Sequence, residues 1–179
     1  MANFDIESFR AKFTDGARAY LFYMKPSFPT GVASTSTTED MTYLVKSANL
    51  PALTLGSVTI PWQGFEYKLA GKYTFAEWAV TFNVDVDAKI RTCYDDWMRL
   101  IHDPVSNIHA APDKYMKDQR LQLLGGDGKT IMEYKLIGAW PSSVGDASLS
   151  YDSTEILTFE VTFAYQYHVV TSTSKAISI

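Results

Sequence analysis

Hydrophobic and polar residues alternate strictly along residues 77–86. Successive side chains of an extended chain point to opposite faces, so this pattern predicts a strand with one apolar and one polar face. The apolar positions are Trp78, Val80, Phe82, Val84 and Val86. A second alternation covers residues 157–169, and its apolar positions are Phe159, Val161, Phe163, Tyr165, Tyr167 and Val169. Both patterns predict long strands that turn their apolar faces to a core.

Shorter strand patterns occur elsewhere, each bounded by Gly or Pro. They are predicted at 19–25, 42–48, 55–61, 65–70, 118–124 and 129–139. The last two are separated by Gly125–Gly128, a sequence typical of a tight hairpin turn. This arrangement predicts paired antiparallel strands.

Helical spacing of apolar residues appears only twice. Residues 4–13 predict a short amphipathic helix that ends at Asp15. Residues 88–101 predict a longer helix, with Asp87 as its N-cap. Its apolar stripe consists of Ile90, Cys93, Tyr94, Trp97 and Ile101.

Strands therefore dominate, and strands and helices do not alternate as they do in α/β proteins. The predicted fold class is mainly β (α+β): an antiparallel β-barrel or sandwich of long strands, one flanking helix and a short N-terminal helix. We expect a single domain over residues 1–179, with a Ser/Thr-rich surface loop inserted at 27–40 and a loose C-terminal tail at 171–179.

Composition narrows the possible functions. The chain has 16 Lys and Arg against 20 Asp and Glu, which gives a net charge of −4. This charge argues against a protein that binds nucleic acid tightly, because such binding needs clustered positive charge. A single cysteine, Cys93, excludes an internal disulfide framework. The acidic N-terminus and the lack of a long apolar run favour a soluble protein without an export signal or a membrane helix.

The sequence contains only partial matches to three kinds of functional motif. Gly128-Lys129-Thr130 resembles the end of a phosphate-binding loop, but Leu123 stands where that motif needs glycine. His102, Asp103 and His109 match no zinc spacing. Cys93 lies on the apolar stripe of the helix, which favours a buried hydrophobe over a nucleophile. We therefore expect no enzyme and no catalytic, cofactor-binding or metal-binding residues, and elimination alone favours a binding or structural role.

Several segments resemble the tail tube proteins of contractile-tailed bacteriophages. They are IGAWPSSVG at 137–145, LSYD at 149–152, EILTFEVTF at 155–163, GKYTFAEW at 71–78, YDDW at 94–97 and ANLP at 48–51. The resemblance covers nearly the whole chain in order. The loop at 27–40 and the C-terminal tail extend beyond the usual family pattern.

The resemblance implies a structural subunit of a tail tube in the virion, assembled in the host cytoplasm. Hexameric rings would stack into a hollow conduit through which DNA passes from capsid to host. The implied partners are further copies of the chain, the tail sheath protein, the baseplate tube initiator, the tail terminator and the tape measure protein in the lumen. DNA would pass without specific binding, and no membrane or cofactor is implied.

Other functions stay open at this point. The same fold is expected for the tube of a type VI secretion system or a phage-derived contractile injection particle. A monomeric ligand-binding β-barrel would need a closed apolar pocket. A hydrolase would need titratable residues that converge in one cleft.

Two sets of residues are candidates for the implied assembly. The excursion that starts at Leu50 and ends at Gly71 corresponds to the family's ring-to-ring contact, and its candidate stacking residues are Leu50, Pro51, Leu53, Leu55 and Trp62. The polar faces of the two long strands carry no Lys or Arg and would repel DNA. The candidate lumen-facing residues are Thr81, Asn83, Thr158, Glu160, Thr162 and Gln166. An ordinary solvated outer face is the alternative for this second set.

Overall fold

Most of the predicted strands pair into a seven-stranded antiparallel sheet, seen in a computed structural model that describes residues 6–13 and 16–172, whereas those predicted at 55–61 and 65–70 pair only with each other. Two further pairs of strands stand apart from it. The strands are β1 Phe22–Lys25, β2 Val45–Ala48, β3 Leu53–Trp62, β4 Phe65–Phe75, β5 Trp78–Asn83, β6 His102–Asp103, β7 Ile108–His109, β8 Lys117–Leu124, β9 Thr130–Val144, β10 Thr158–Ala164 and β11 Tyr167–Ser172. The mainly β, antiparallel fold class is confirmed.

Strand β9 organises the large sheet, whose order is β1-β8-β9-β10-β5-β2. The first part of β9 pairs with β8 on one side and β11 on the other, and its last residues pair with β10. Strands β10 and β11 follow each other along the same edge of β9. The sheet is therefore split into two halves that share one long strand.

Four α-helices lie in the described part of the chain: α1 Ile6–Lys12, α2 Thr35–Met41, α3 Lys89–Ile101 and α4 Pro112–Tyr115. A 3₁₀ turn, Thr42–Leu44, follows α2. None of these helices has the length and apolar character needed to span a lipid bilayer. The predicted helix end at Asp15 and the tail beyond Ser172 lie outside the described residues.

Helix α3 supplies one wall of the core, as its apolar stripe predicts. Ile90, Cys93, Tyr94 and Trp97 are buried. The ring of Tyr94 packs against those of Phe82, Phe159 and Phe163, with ring centroids 5.2 to 6.1 Å apart. Helix α3 thus covers the apolar face of β5 and β10.

The predicted N-cap of α3 is wrong. Ala88 occupies the N-cap position with a left-handed φ of 51° and no side-chain cap. The carboxylate of Asp85 instead accepts a hydrogen bond from the Ile90 backbone N–H at 3.3 Å. Asp87 forms an exposed ion pair with Lys89 at 2.7 Å, which lowers the pKa of its carboxyl.

The prediction of one continuous core-facing strand over 157–169 is also wrong beyond Tyr165. Phe159, Val161 and Phe163 are buried, whereas Tyr167 and Val169 are exposed. The core-facing side changes here because Gly138, opposite Gln166 on β9, has a φ of +62° and interrupts the alternation of the strand. Val86 likewise departs from its predicted face and is fully exposed, since β5 ends at Asn83.

The segment predicted as a surface loop at 27–40 is packed more closely than expected. It contains most of α2, and Phe28, Val32 and Ala33 pack against the core. The ring of Phe28 lies 5.1 Å from that of Tyr94. Apolar residues at irregular spacing, which periodicity does not detect, hold this segment in place.

Candidate assembly surfaces

Strands β3 and β4 form a projecting hairpin, residues 53–75, which we call the arm. The arm pairs with no other described strand, and all of β3 is exposed. Gln63 and Gly64 connect the strands with φ values of 44° and 87°, as in a type I′ turn. No other described strand pairs with the arm, and an isolated two-stranded hairpin is only marginally stable in water.

Apolar side chains face each other in register along the arm. The opposed pairs are Leu53 with Phe75, Leu55 with Tyr73, Val58 with Leu69, Ile60 with Tyr67 and Trp62 with Phe65. Of this set, only Leu53, Leu55 and Trp62 were predicted as stacking residues. The period-2 pattern of Phe65, Tyr67 and Leu69 would have shown that β4 contributes equally.

The arm presents apolar residues on both of its faces. Along β3, Leu53 and Leu55 are odd-numbered, whereas Val58, Ile60 and Trp62 are even-numbered, and successive strand residues point to opposite faces. A register shift between Leu55 and Ser57 accompanies this change. The arm therefore has one apolar patch at its base and a second, on the other face, at its tip.

Two glycines allow the strands of the arm to approach closely at this shift. A Cβ on Gly71 would lie 3.1 Å from the carbonyl carbon and oxygen of Gly56. A Cβ on Gly56 would meet only an ordinary contact, 3.4 Å from the carbonyl oxygen of Lys72. Gly71 is therefore the position at which a side chain would force the backbone apart.

The base of the arm is joined firmly to the core. The indole N–H of the buried Trp78 donates to the carbonyl of Asn49, and the Ala76 N–H donates to the carbonyl of Ala52 at 3.2 Å. Pro51 is buried here, whereas Leu50 is half exposed. Of the candidate stacking residues, Leu50, Leu53, Leu55 and Trp62 are therefore accessible, and Pro51 is part of the base.

A second surface, the polar face, lies on the side of β2, β5, β10 and β9 opposite the core. Cross-strand pairing aligns Thr158 with Asn83, Glu160 with Thr81, and Thr162 with Ala79. Ser47 of β2 extends one row and Ser143 of β9 another. The polar face thus comprises Ser47, Ala79, Thr81, Asn83, Ser143, Thr158, Glu160 and Thr162. Ser47 and Ser143 were not predicted, because pairing across distant segments is needed to find them.

The polar face carries one carboxylate, that of Glu160, and neither Lys nor Arg. Lys46 is the nearest basic residue along β2, at a register shift between Val45 and Ser47. Gln166 is exposed but lies past the last of these rows, opposite Gly138. Five of the six candidate lumen residues therefore lie together, and Gln166 lies apart from them.

The incomplete chemical motifs do not assemble into a reactive site. His102 and His109 stack across β6 and β7 with ring centroids 3.9 Å apart, while the Asp103 carboxylate accepts hydrogen bonds from the Val105 and Ser106 N–H groups. Burial raises the pKa of the Cys93 thiol, and nearby Asp96 and Asp85 add to this shift. Within the described ranges, no three metal-ligating side chains lie close together.

Comparisons with known proteins show that the chain is similar to phage tail tube proteins. A family model described as phage tail tube protein matches residues 8–171. The tail tube protein of Serratia phage KSP90 is 29% identical over 157 residues, which cover 86% of this chain and 89% of that protein. The tail tube protein gp19 of Enterobacteria phage T4 is 31% identical over 132 residues, which cover 72% of this chain and 81% of that protein.

The fold also matches a solved structure. A chain in the sheath-tube complex of an extracellular contractile injection system, in the extended state, superposes with a TM-score of 0.63 at 15% identity. The match covers 94% of this chain and 98% of that chain. It shows a shared fold across nearly the whole molecule.

Proposed function

The chain belongs to the phage tail tube protein family, and we propose that it builds the tube of a contractile phage tail from stacked hexameric rings. The observation that carries this proposal is the arm, a hairpin with exposed apolar residues on both faces that pairs with no other strand in the described part of the chain. Contiguous exposed apolar surface of this kind is typical of a protein interface.

The arm is suited to contact between rings. Trp62 and Phe65 at its tip are 68% and 79% exposed, and large aromatic residues dominate the binding energy of many interfaces. A partner on one side only would leave either the base patch or the tip patch in water. We therefore infer that the arm is enclosed between neighbouring subunits, with Leu50, Leu53, Leu55 and Trp62 in the contact and Pro51 holding its base.

We further propose that the polar face lines the lumen. Its side chains are short and neutral apart from Glu160, so they offer phosphate groups no cation. A wall of this kind lets DNA pass without being held. Gln166 belongs to this proposal as a residue at the margin of the face.

The remaining partners follow from the proposed place of the chain in the virion tail. The tail sheath protein would surround the tube, the baseplate initiator and the tail terminator would bind its two ends, and the tape measure protein would occupy its lumen. The superposed injection-system chain comes from a sheath-tube complex, which is consistent with a sheath partner. Assembly in the host cytoplasm and a purely structural, non-enzymatic role belong to the same proposal.

Electron microscopy of the purified protein tests the function. The wild-type chain is expected to form rings and stacked tubes. A variant with Trp62→Ser and Phe65→Ser should stay folded but stop at single rings, because it loses the apolar tip of the arm. A matched control, Val105→Ser with Ile108→Ser, removes exposed apolar residues elsewhere and should form tubes normally. A wild-type protein that remains monomeric at every concentration would contradict the proposal, and normal tubes from the arm variant would refute the role of the arm.

A further inference from the structure

A basic groove runs between the outer face of β1 and β8 and the segment 26–33. Its volume is about 920 Å³, within the range of well-formed binding sites. Lys25, Lys117 and Arg120 contribute positive charge to its lining, and Phe28 and Pro29 contribute apolar surface. The groove therefore combines apolar contact area with cations.

The cations of the groove belong to a row of like charges. Lys25 lies directly opposite Arg120, and Arg120 lies directly opposite Lys135. Such pairs destabilise a sheet unless anions offset them. Asp118 binds Lys135 at 2.9 Å and Glu39 binds Lys25 at 3.2 Å, but no carboxylate in the described ranges forms an ion pair with Arg120 or Lys117. Arg120 interacts with Asp118 only through the longer-range attraction of their charges, so Arg120 and Lys117 can still form ion pairs with the carboxylates of a partner.

The groove is already shaped before any partner binds. Gln119 is fully buried, accepts a hydrogen bond from the Ser27 N–H at 3.0 Å, and donates one to the Ser27 carbonyl at 2.7 Å. These two bonds hold the 26–33 wall against β8. A preformed site avoids much of the entropy cost of binding.

The opposite charge is carried by an acidic loop, residues 145–157, which joins β9 to β10. Connections of this length without regular structure are uncommon in compact domains and are usually functional. Asp146, Asp152 and Glu155 have no ion-pair partner in the described part of the chain, and no Lys or Arg occurs between Lys135 and the end of β11. Leu149 and Tyr151 are 83% and 112% exposed.

We propose that the acidic loop of one copy docks in the basic groove of the next copy within a ring. Tyr151 and Leu149 would contact the apolar part of the groove, and Asp152 and Glu155 would neutralise Lys117 and Arg120. The two surfaces are different parts of the chain, so the contact is head-to-tail, and contacts of this type generate rings when they close. This inference rests on the proposed function and names the surfaces that join subunits laterally.

A second copy fits the groove better than nucleic acid does. Lys117 and Arg120 are two cations, the number that Asp152 and Glu155 can neutralise, whereas tight binding of a phosphate backbone needs a larger cluster of positive charge. Every copy also brings one acidic loop for each groove, so the charges match at the stoichiometry of a ring. Nucleic-acid binding is an outcome that the experiment below would reveal.

Charge reversal on each side of the contact tests the proposal. The groove variant carries Lys117→Glu and Arg120→Glu, and the loop variant carries Asp152→Lys and Glu155→Lys. Each alone should need at least about tenfold more protein to form rings, because like charges then meet at the contact. The control variant, Arg99→Glu with Lys129→Glu, has the same charge change as the groove variant at exposed positions outside both surfaces and should form rings as the wild type does.

An equimolar mixture of the groove and loop variants gives the decisive result. In an alternating ring, each acidic loop meets an unchanged basic groove and each reversed loop meets a reversed groove, so ring formation should be restored. Ring formation is followed by sedimentation velocity and electron microscopy, after thermal unfolding shows that each variant is folded. Rings unaffected by either reversal, or a mixture that stays unassembled, would overturn the docking while leaving the tube function intact. If the groove variant forms rings normally but loses DNA binding that the wild type has, the docking proposal is also wrong, and the groove binds nucleic acid instead.

The behaviour of the wild type separates the two proposals further. Open head-to-tail chains that respond to the reversals would support the docking and contradict the closed ring. A wild-type protein that never associates would contradict both.

Discussion

At the scale of single residues, Gln119 shows how a polar side chain organises a region that has no regular pattern. It lies on the core-facing side of β8, where an apolar residue is expected, and its amide pairs with both backbone groups of Ser27. The side chain thus replaces the backbone partner that a neighbouring strand would have supplied. It holds Phe28 over the aromatic core and shapes the wall of the basic groove.

Replacing Gln119 with Leu should lower the free energy of unfolding by about 2–3 kcal/mol, since the partly buried N–H and carbonyl of Ser27 lose their partners. The matched control is Gln122→Leu on the same strand. Its amide N–H donates to Glu133 on the half-exposed outer face at 2.6 Å, where water can replace the bond. The Gln122→Leu control should lower the free energy of unfolding by less than about 1 kcal/mol. Urea unfolding measures both values, and equal losses would show that the Ser27 contact is unimportant.

At the scale of secondary-structure elements, the arm is a hairpin whose strands are predictable but whose position is not. Its turn residues and alternating side chains indicate two paired strands. Nothing in that local pattern distinguishes a strand that covers a core from one that projects into solvent. The family resemblance, not the local pattern, identified Leu53, Leu55 and Trp62 as candidate contact residues, and they are exposed because the large sheet is completed without them.

Substituting Gly71 with Ala should impair tube growth while leaving the monomer folded. The new Cβ would lie 3.1 Å from backbone atoms of Gly56 and would change the shift that separates the two apolar patches. The thermal midpoint should change little because the arm is not part of the core. Gly56→Ala is the control, since its Cβ makes only an ordinary contact. Electron microscopy should show short or no tubes for the first variant and long tubes for the second, and long tubes from both would contradict the expectation.

At the scale of the whole molecule, the split sheet separates surfaces of different character. The half built on β2, β5 and β10 presents the polar face, with Glu160 as its only charge. The half built on β1, β8 and β9 carries the row of Lys25, Arg120 and Lys135. Because β9 belongs to both halves, the two surfaces are held in a fixed relation within one subunit.

Introducing lysines on the polar face should make the assembled tube retain DNA. The variant carries Asn83→Lys and Thr162→Lys, and each new cation that contacts phosphate adds salt-dependent binding. The control is Thr92→Lys on the exposed side of α3. Retention of short duplex DNA by assembled tubes, measured against salt concentration, should rise for the first variant only. If the first variant retains no DNA, or if both variants retain it equally, the polar face does not line the lumen.

The local structure could be predicted from the amino-acid pattern: the alternation of β5 and β10 up to Phe163, the apolar stripe of α3, and the hairpin turn between β8 and β9. These patterns are readable because residues two to four positions apart decide them. Three features could not be predicted in this way: the core-facing side changes near Gly138, Ser47 and Ser143 complete the polar face, and Gln119 binds Ser27. Those features depend on pairing between segments far apart in the chain, which a short-range period does not encode. The cations of the groove are visible in the sequence, but their alignment in one row depends on the register of β1, β8 and β9.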